Sequence, residues 1–174
     1  YIRKKNKINN YVPYYSIVLK RNIKKLIKLI NLNNSYFVDL GSGKGRILLA
    51  MSNLDFINII GVEKDKSLFK ECKKNILKNK LNKRIKILNQ DFLNLKLKVK
   101  KNTNIIFFWY GSSTKSILKK ILIKYKKKFK NNKIFFYIIP DRDVPKKIKF
   151  IKLVFNNMDF KNDFTRNSKI ITFK

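Results

Sequence analysis

The chain has 174 residues, enough for one domain with a single core, and its 44% hydrophobic and 13% aromatic content excludes a disordered tail. No apolar run approaches the roughly 20 residues of a membrane-spanning helix, so membrane insertion is not expected, and the single cysteine, Cys72, excludes an internal disulfide. The net charge is +33, yet only 6 of the 43 basic residues are Arg, and the Lys residues run along the whole chain instead of forming one basic arm. A surplus of Lys, Asn, Ile, Phe and Tyr is what an AT-rich gene encodes, so charge alone does not identify a nucleic-acid substrate. It does imply non-specific, salt-sensitive binding to polyanions. With no secretory-leader pattern and one thiol, a cytoplasmic protein is expected. Tyr1 stands where Met would begin a chain, so further residues are expected upstream.

Leu19, Ile23, Leu26, Ile27 and Ile30 recur at helical spacing and predict a leading helix over 14–31. An apolar strand is predicted at 36–40, then a helix from Gly45 to about Asn53 and a second strand at 57–63. A helix over 66–79 carries Leu68, Phe69, Cys72 and Ile76, with Cys72 expected as inert packing. Strands follow at 84–89 and 104–110, a helix at 114–130 with Ser112 and Ser113 available as caps, and a fifth strand at 133–139 that Pro140 ends. Strands at 148–156 and 168–173 have no helix between them and are expected to pair as an antiparallel hairpin. Strand–helix alternation of this kind predicts an α/β protein with a mostly parallel, doubly wound sheet. Residues 1–34 are expected as an N-terminal segment and leading helix, and 35–174 as the functional domain.

Three of the five glycines fall within residues 41–45, in the stretch Asp39-Leu-Gly41-Ser42-Gly43-Lys-Gly45 that joins a strand to a helix. The spacing is not the G-x-G-x-x-G of a dinucleotide site: the third glycine comes one residue early, and Asp39 precedes the first by two. Main-chain N–H groups in such a turn suit a carboxylate, and Asp39 suits a cationic amine, so the pair fits an amino-acid group better than a pyrophosphate. Glu63 ends the second strand, where an acid takes ribose hydroxyls. Asp91 with Phe92 ends the third, where a carboxylate and a ring suit an adenine. Each acid taken singly is also an ordinary turn former; the three together with the glycine cluster favour a nucleoside-bearing ligand.

On these residues the chain resembles the class I S-adenosylmethionine-dependent methyltransferases, whose first motif is acid-x-Gly-x-Gly-x-Gly followed by an acidic end to the second strand. The resemblance covers roughly residues 11–174. Tyr11-x-Pro13 ahead of a basic helix, Phe-Val-Asp-Leu-Gly-Ser-Gly-Lys-Gly-Arg and Gly61-Val-Glu63 are similar to small stand-alone bacterial members and to the seven-strand protein-lysine methyltransferases. It implies a Rossmann-like sheet of seven strands with a C-terminal antiparallel hairpin, and S-adenosyl-L-methionine as cofactor. By this resemblance Asp39, Gly41, Ser42, Gly43 and Gly45 hold the methionine part, Glu63 the ribose, and Asp91 with Phe92 the adenine.

Many amino-group methyltransferases of this fold have Asn or Asp, then Pro and an aromatic residue, after the fourth strand. This chain has Phe108-Trp109-Tyr110-Gly111-Ser112, which lacks the side-chain amide that would hold an exocyclic base amine. Trp109 is read either as core packing or as a ring face for a cation, and Tyr110 is the stronger candidate for the site. Pro140-Asp141-Arg142-Asp143-Val144-Pro145 is read either as a Pro-bounded turn or as an acidic lure for a cationic substrate. Tyr11, Tyr14 and Tyr15 are read either as a fold-over segment or as an anchor for the leading helix. With no His in the chain an imidazole base is excluded, and no metal-ligand cluster is present in the sequence. Tyr110 and Asp141 are therefore the candidate catalytic residues. The leading expectation is methyl transfer to an amino group on protein, lysine first. RNA is the alternative acceptor, and a non-catalytic cofactor- or RNA-binding relic of the same fold is a third reading.

Overall fold

The computed structural model describes residues 31–111, 115–140, 159–163 and 168–173, with side-chain environments over 31–109, at 117 and over 120–136. The predicted leading helix, Tyr11, Tyr14, Tyr15, Asp141 and the predicted strand at 148–156 lie outside the described residues.

Five strands run parallel: β1 (Ser35–Leu40), β2 (Asn58–Glu63), β3 (Ile85–Asn89), β4 (Asn104–Gly111) and β5 (Lys133–Pro140). Their order is β3-β2-β1-β4-β5, so the chain leaves β1 toward one edge, then returns to build outward on the other side. Two further extended segments, Asp159–Asp163 and Ser168–Phe173, follow β5 in the chain, the second coinciding with the strand predicted at 168–173. The helices are α1 (Arg46–Met51), α2 (Lys66–Lys78) and α3 (Lys115–Lys128). None of the helices among the described residues is long and apolar enough to cross a membrane.

Every residue of β1 is buried, as a central strand requires. Its side chains alternate between two cores, because successive residues of a strand point to opposite faces. Tyr36, Val38 and Leu40 join Ile105, Phe107, Trp109, Phe136 and the inner face of α3. Phe37 joins Ile59, Ile106, Phe108 and the inner faces of α1 and α2. The α3 side is aromatic: the Phe107 ring stacks on Phe136 at 5.1 Å and meets Tyr125 at 4.6 Å, while Tyr125 and Phe129 meet edge-on at 5.8 Å.

The strand–helix alternation breaks between β3 and β4. The sequence predicts no helix here, and a single 3-10 turn at Phe92–Asn94 with an irregular stretch joins the two strands. The cause is the pattern Leu95-Lys-Leu97-Lys-Val99-Lys, whose apolar period is two and not 3.6. Leu95, Leu97 and Val99 pack on the core while Lys96, Lys98 and Lys100 stay exposed. Helix α3 holds this crossover from outside: Tyr125 Oη donates to the Phe92 carbonyl, Lys124 Nζ to the Leu93 carbonyl, and Lys128 Nζ to the Leu95 carbonyl. Burial lowers the Lys128 pKa, and the positive charges of Lys124 and Lys96 add to the effect.

Candidate functional site

The sheet order places a switch point between β1 and β4, and in open α/β sheets ligands bind beyond the carboxyl ends of the strands there. The glycine loop leaves β1 at this point. Gly41, Gly43 and Gly45 all adopt left-handed φ, at 82°, 53° and 83°, a conformation that costs other residues roughly 1–2 kcal/mol each. Those three turns let the loop fold back on β2. The N–H groups of Gly41 and Ser42 both donate to the Val62 carbonyl, at 2.8 and 3.0 Å, and Gly45 N–H closes onto the Ser42 carbonyl at 2.9 Å. A Cβ on Gly41 would meet nothing within 4 Å, so the loop's first residue faces open space. A Cβ on Gly45 would come within 2.6 Å of Cys72 Sγ, because this end of the loop rests on α2.

Two buried carboxylates flank the loop, and their surroundings differ. Glu63 is 7% exposed and both its oxygens are engaged. Oε2 accepts from Gly43 N–H at 2.9 Å, and Oε1 accepts from Asp65 N–H at 2.8 Å. Asp65 in turn caps α2, its Oδ1 accepting from the N–H groups of Ser67 and Leu68. Asp39 is 2% exposed and its Oδ2 has no hydrogen-bond partner. Burial, with the negative charge of Glu63 adding to it, raises the Asp39 pKa from the ordinary carboxylate value to about 8. Ser42 Oγ is also buried and lacks a partner of good geometry, although it lies near the Cys72 thiol. Burial first, then the charge of Asp39, pushes the Cys72 pKa up to about 12 despite the opposing Ser42 hydroxyl, so this thiol stays neutral. A buried acid with an unmet oxygen beside a second acid is a receptor for a cation carrying hydrogen-bond donors.

Asp91 and Phe92 follow β3 at the same end of the sheet. Both are half-buried. Asp91 Oδ1 accepts from Leu93 N–H at 2.8 Å, which makes it the cap of the 3-10 turn. The Phe92 ring lies 6.4 Å from Trp109. Trp109 is 6% exposed within the α3-side core, which resolves its two sequence readings in favour of packing. Tyr110 is paired with Ile139 at the end of β4, and its side chain lies outside the described residues, as Asp141 does entirely.

Sequence reasoning missed three residues that shape the site. Gly61 lies opposite Asp39 in the sheet, and a Cβ there would fall 2.5 Å from Leu48 Cδ1 and 2.9 Å from Ser42 Oγ. Its signal was a rare glycine inside a strand, which marks a close approach. Asp65 was legible as an N-cap ahead of an amphipathic run. Asn89, paired with Glu63 in the register, donates from Nδ2 to the Glu63 carbonyl at 2.8 Å; nothing local in the sequence announces that bond.

No family model matches the sequence, and no curated protein does. Solved structures do. The N-terminal domain of human METTL16, in complex with S-adenosylhomocysteine, superposes with a TM-score of 0.64 at 16% identity, over 93% of this chain and 71% of that one. An RNA methyltransferase from Salinibacter ruber, in complex with S-adenosyl-L-homocysteine, gives 0.58 at 16% over 93% and 92%. An uncharacterized Listeria monocytogenes protein gives 0.59 at 15% over 92% of this chain, which spans 66% of that protein's length. The chain has the α/β, Rossmann-like fold of the class I S-adenosylmethionine-dependent methyltransferases.

Proposed function

We propose that this protein is an S-adenosylmethionine-dependent methyltransferase with RNA as its acceptor. The carrying observation is Asp39, a buried carboxylate with an unmet oxygen at the base of a triple-glycine loop at the sheet's switch point. The cofactor supplies a methyl group on a sulfonium, open to in-line displacement by a nucleophile. Asp39 takes the ligand's ammonium, and the left-handed glycines let the ligand's methionine part lie against the main chain of Gly41, Ser42, Gly43 and Gly45, whose own N–H groups are engaged within the fold. Glu63 keeps two of its roughly four acceptor positions for ribose hydroxyls after fixing Gly43 and Asp65. Asp91 offers its second oxygen to the adenine amino group, and Phe92 offers its ring for stacking.

Tyr110, at the end of β4, and Asp141, just past β5, are assigned to aligning the acceptor and receiving its proton. We read residues 35–174 as the methyltransferase domain, preceded by a leading segment over 1–34, in a cytoplasmic protein. Ser168–Phe173 and Asp159–Asp163 complete the sheet as a seven-stranded one with an antiparallel hairpin. Supporting this, Ile134 stands opposite Phe173 and Phe160 opposite Ile171 in antiparallel register.

Support for RNA comes from the Salinibacter ruber neighbour, itself an RNA methyltransferase, and from the net charge of +33. The segment after β4, which lacks an Asn or Asp side chain to hold it, directs the reading away from an exocyclic base amine and favours one second reading, a lysine amine on protein.

The test is methyl-labelled S-adenosylmethionine with heat-treated lysate of the source cells, followed by ribonuclease or protease. Label lost to ribonuclease is expected; label lost to protease installs the second reading, and no label in either fraction overturns both. Binding itself has a separate signature. An ammonium beside Asp39 drives off the proton that Asp39 holds at neutral pH, so calorimetric titration with S-adenosylhomocysteine at pH 7 should release about one proton. Release of none would remove Asp39 from the site.

A further inference from the structure

At the opposite end of the sheet from the glycine loop, a groove of about 410 Å³ runs between the second half of α2 and the amino ends of β2 and β3. Four cations line it, Lys73, Lys83, Arg84 and Lys86, together with the amides of Asn58 and Asn82, and among the described residues no carboxylate does. Lys73, Lys83 and Lys86 are exposed. Arg84 is half-buried and its guanidinium donates to the Leu54 carbonyl, which fixes it while leaving further N–H donors. The nearest acid along α2, Glu71, is already paired with Lys44 at 2.7 Å. Ile76 and Ile85 form part of the floor, and among the described residues no aromatic side chain lines the groove.

We infer that this groove is a second docking site, one that grips the sugar-phosphate backbone of an RNA whose target nucleotide lies at the glycine-loop end. It rests on the RNA acceptor proposed above. Charge complementarity commits the occupant: four cations and two amides with no competing carboxylate match a run of phosphates. Without an aromatic platform the groove cannot stack bases, so it reads backbone and not sequence. An acidic peptide added as a strand is the competing occupant, because β3 is the outermost strand of the sheet. Lys86 argues against it, since a Lys side chain on an edge strand opposes strand addition. The six residues of β2 separate the two ends by roughly 20 Å, so one RNA must extend over several nucleotides to occupy both.

The experiment uses the full chain and a fluorescein-labelled single-stranded RNA of mixed sequence, about 20 nucleotides long to cover both ends, read by anisotropy across a salt series. The triple variant Lys73→Gln/Lys83→Gln/Lys86→Gln is compared with Lys98→Gln/Lys101→Gln/Lys120→Gln, an equal charge change at exposed positions elsewhere. The groove variant should lose roughly tenfold or more in affinity, and its salt slope should fall by about two; the matched variant should lose less than about threefold. Equal losses in the two variants would assign binding to bulk charge and overturn the proposal, as would wild-type protein that fails to bind the RNA. Capture of a poly-glutamate peptide through these lysines, with RNA binding unaffected, would install the peptide instead. Thermal unfolding and S-adenosylhomocysteine affinity of the groove variant should match wild type, which separates loss of docking from loss of fold. A wild-type protein that binds RNA through the groove but not S-adenosylhomocysteine would strike the methyltransferase reading alone.

Discussion

The two faces of the central strand solve opposite problems with the same alternation of residues. Toward α3, Tyr36, Val38 and Leu40 enter an aromatic core in which the polar groups close on one another, down to the Tyr125 hydroxyl on the Phe92 carbonyl. Toward α1 and α2, the same strand delivers Phe37 and then Asp39, and the core there ends in a carboxylate oxygen and a serine hydroxyl without partners. An unmet buried polar group costs roughly 1–3 kcal/mol. One face holds the fold together, and the other carries a cost that a cationic ligand would relieve.

That contrast breaks most sharply on the α3 side. Phe107→Ala removes the ring shared by Tyr125, Phe129 and Phe136 and should destabilise by about 3–5 kcal/mol in urea unfolding. A cost under about 1 kcal/mol would deny the cluster its role. Gly45→Ala should cost about 2–3 kcal/mol, combining a left-handed φ of 83° with a Cβ driven to 2.6 Å from Cys72 Sγ. Adding Cys72→Ala should return the steric part only, so the double-mutant cycle should show positive coupling.

Asp39→Asn should do the reverse and stabilise the ligand-free protein above neutral pH. Folding raises the Asp39 pKa to about 8, so the unfolded chain loses its proton first as pH climbs. The stability that Asp39 contributes is fully present below the ordinary carboxylate pKa and is lost as pH rises through about 8, by up to ~1.4 kcal/mol per pH unit. Melting temperatures from pH 5 to about 9 should fall in the wild type and flatten in the variant, while affinity for S-adenosylhomocysteine drops. A parallel pair of pH profiles would show that Asp39 is not the group involved. The smallest effect belongs to the outer surface. Lys44→Ala breaks an ion pair whose side chains are 41% and 47% exposed, and should shift stability by under about 0.5 kcal/mol.

Strand positions were legible because each strand is a short, mostly apolar run between polar turns. The strand read at 36–40 is observed at Ser35–Leu40, and that read at 133–139 at Lys133–Pro140. Helix ends were less so: α1 stops at Met51, with Ser52 Oγ donating back to the Leu49 carbonyl, two residues short of expectation. The lack of a helix between β3 and β4, where none was predicted, accords with the alternating Leu and Lys of 95–100, a period-two signal. At the site, the glycine spacing and the strand-end acids pointed to Asp39 and Glu63. Which of them is satisfied was not readable, because the Gly43 N–H reaches Glu63 across 20 positions of chain only once the loop has folded.

The grip of α3 on the chain after β3 has a consequence for how this protein can change. Tyr125, Lys124 and Lys128 hold three carbonyls between Phe92 and Leu95, so the backing of the proposed adenine wall belongs to a helix in the outer layer. On the proposed reading, nucleoside preference becomes heritable at a distance: substitutions on α3, away from the site, would retune the turn assigned to the adenine.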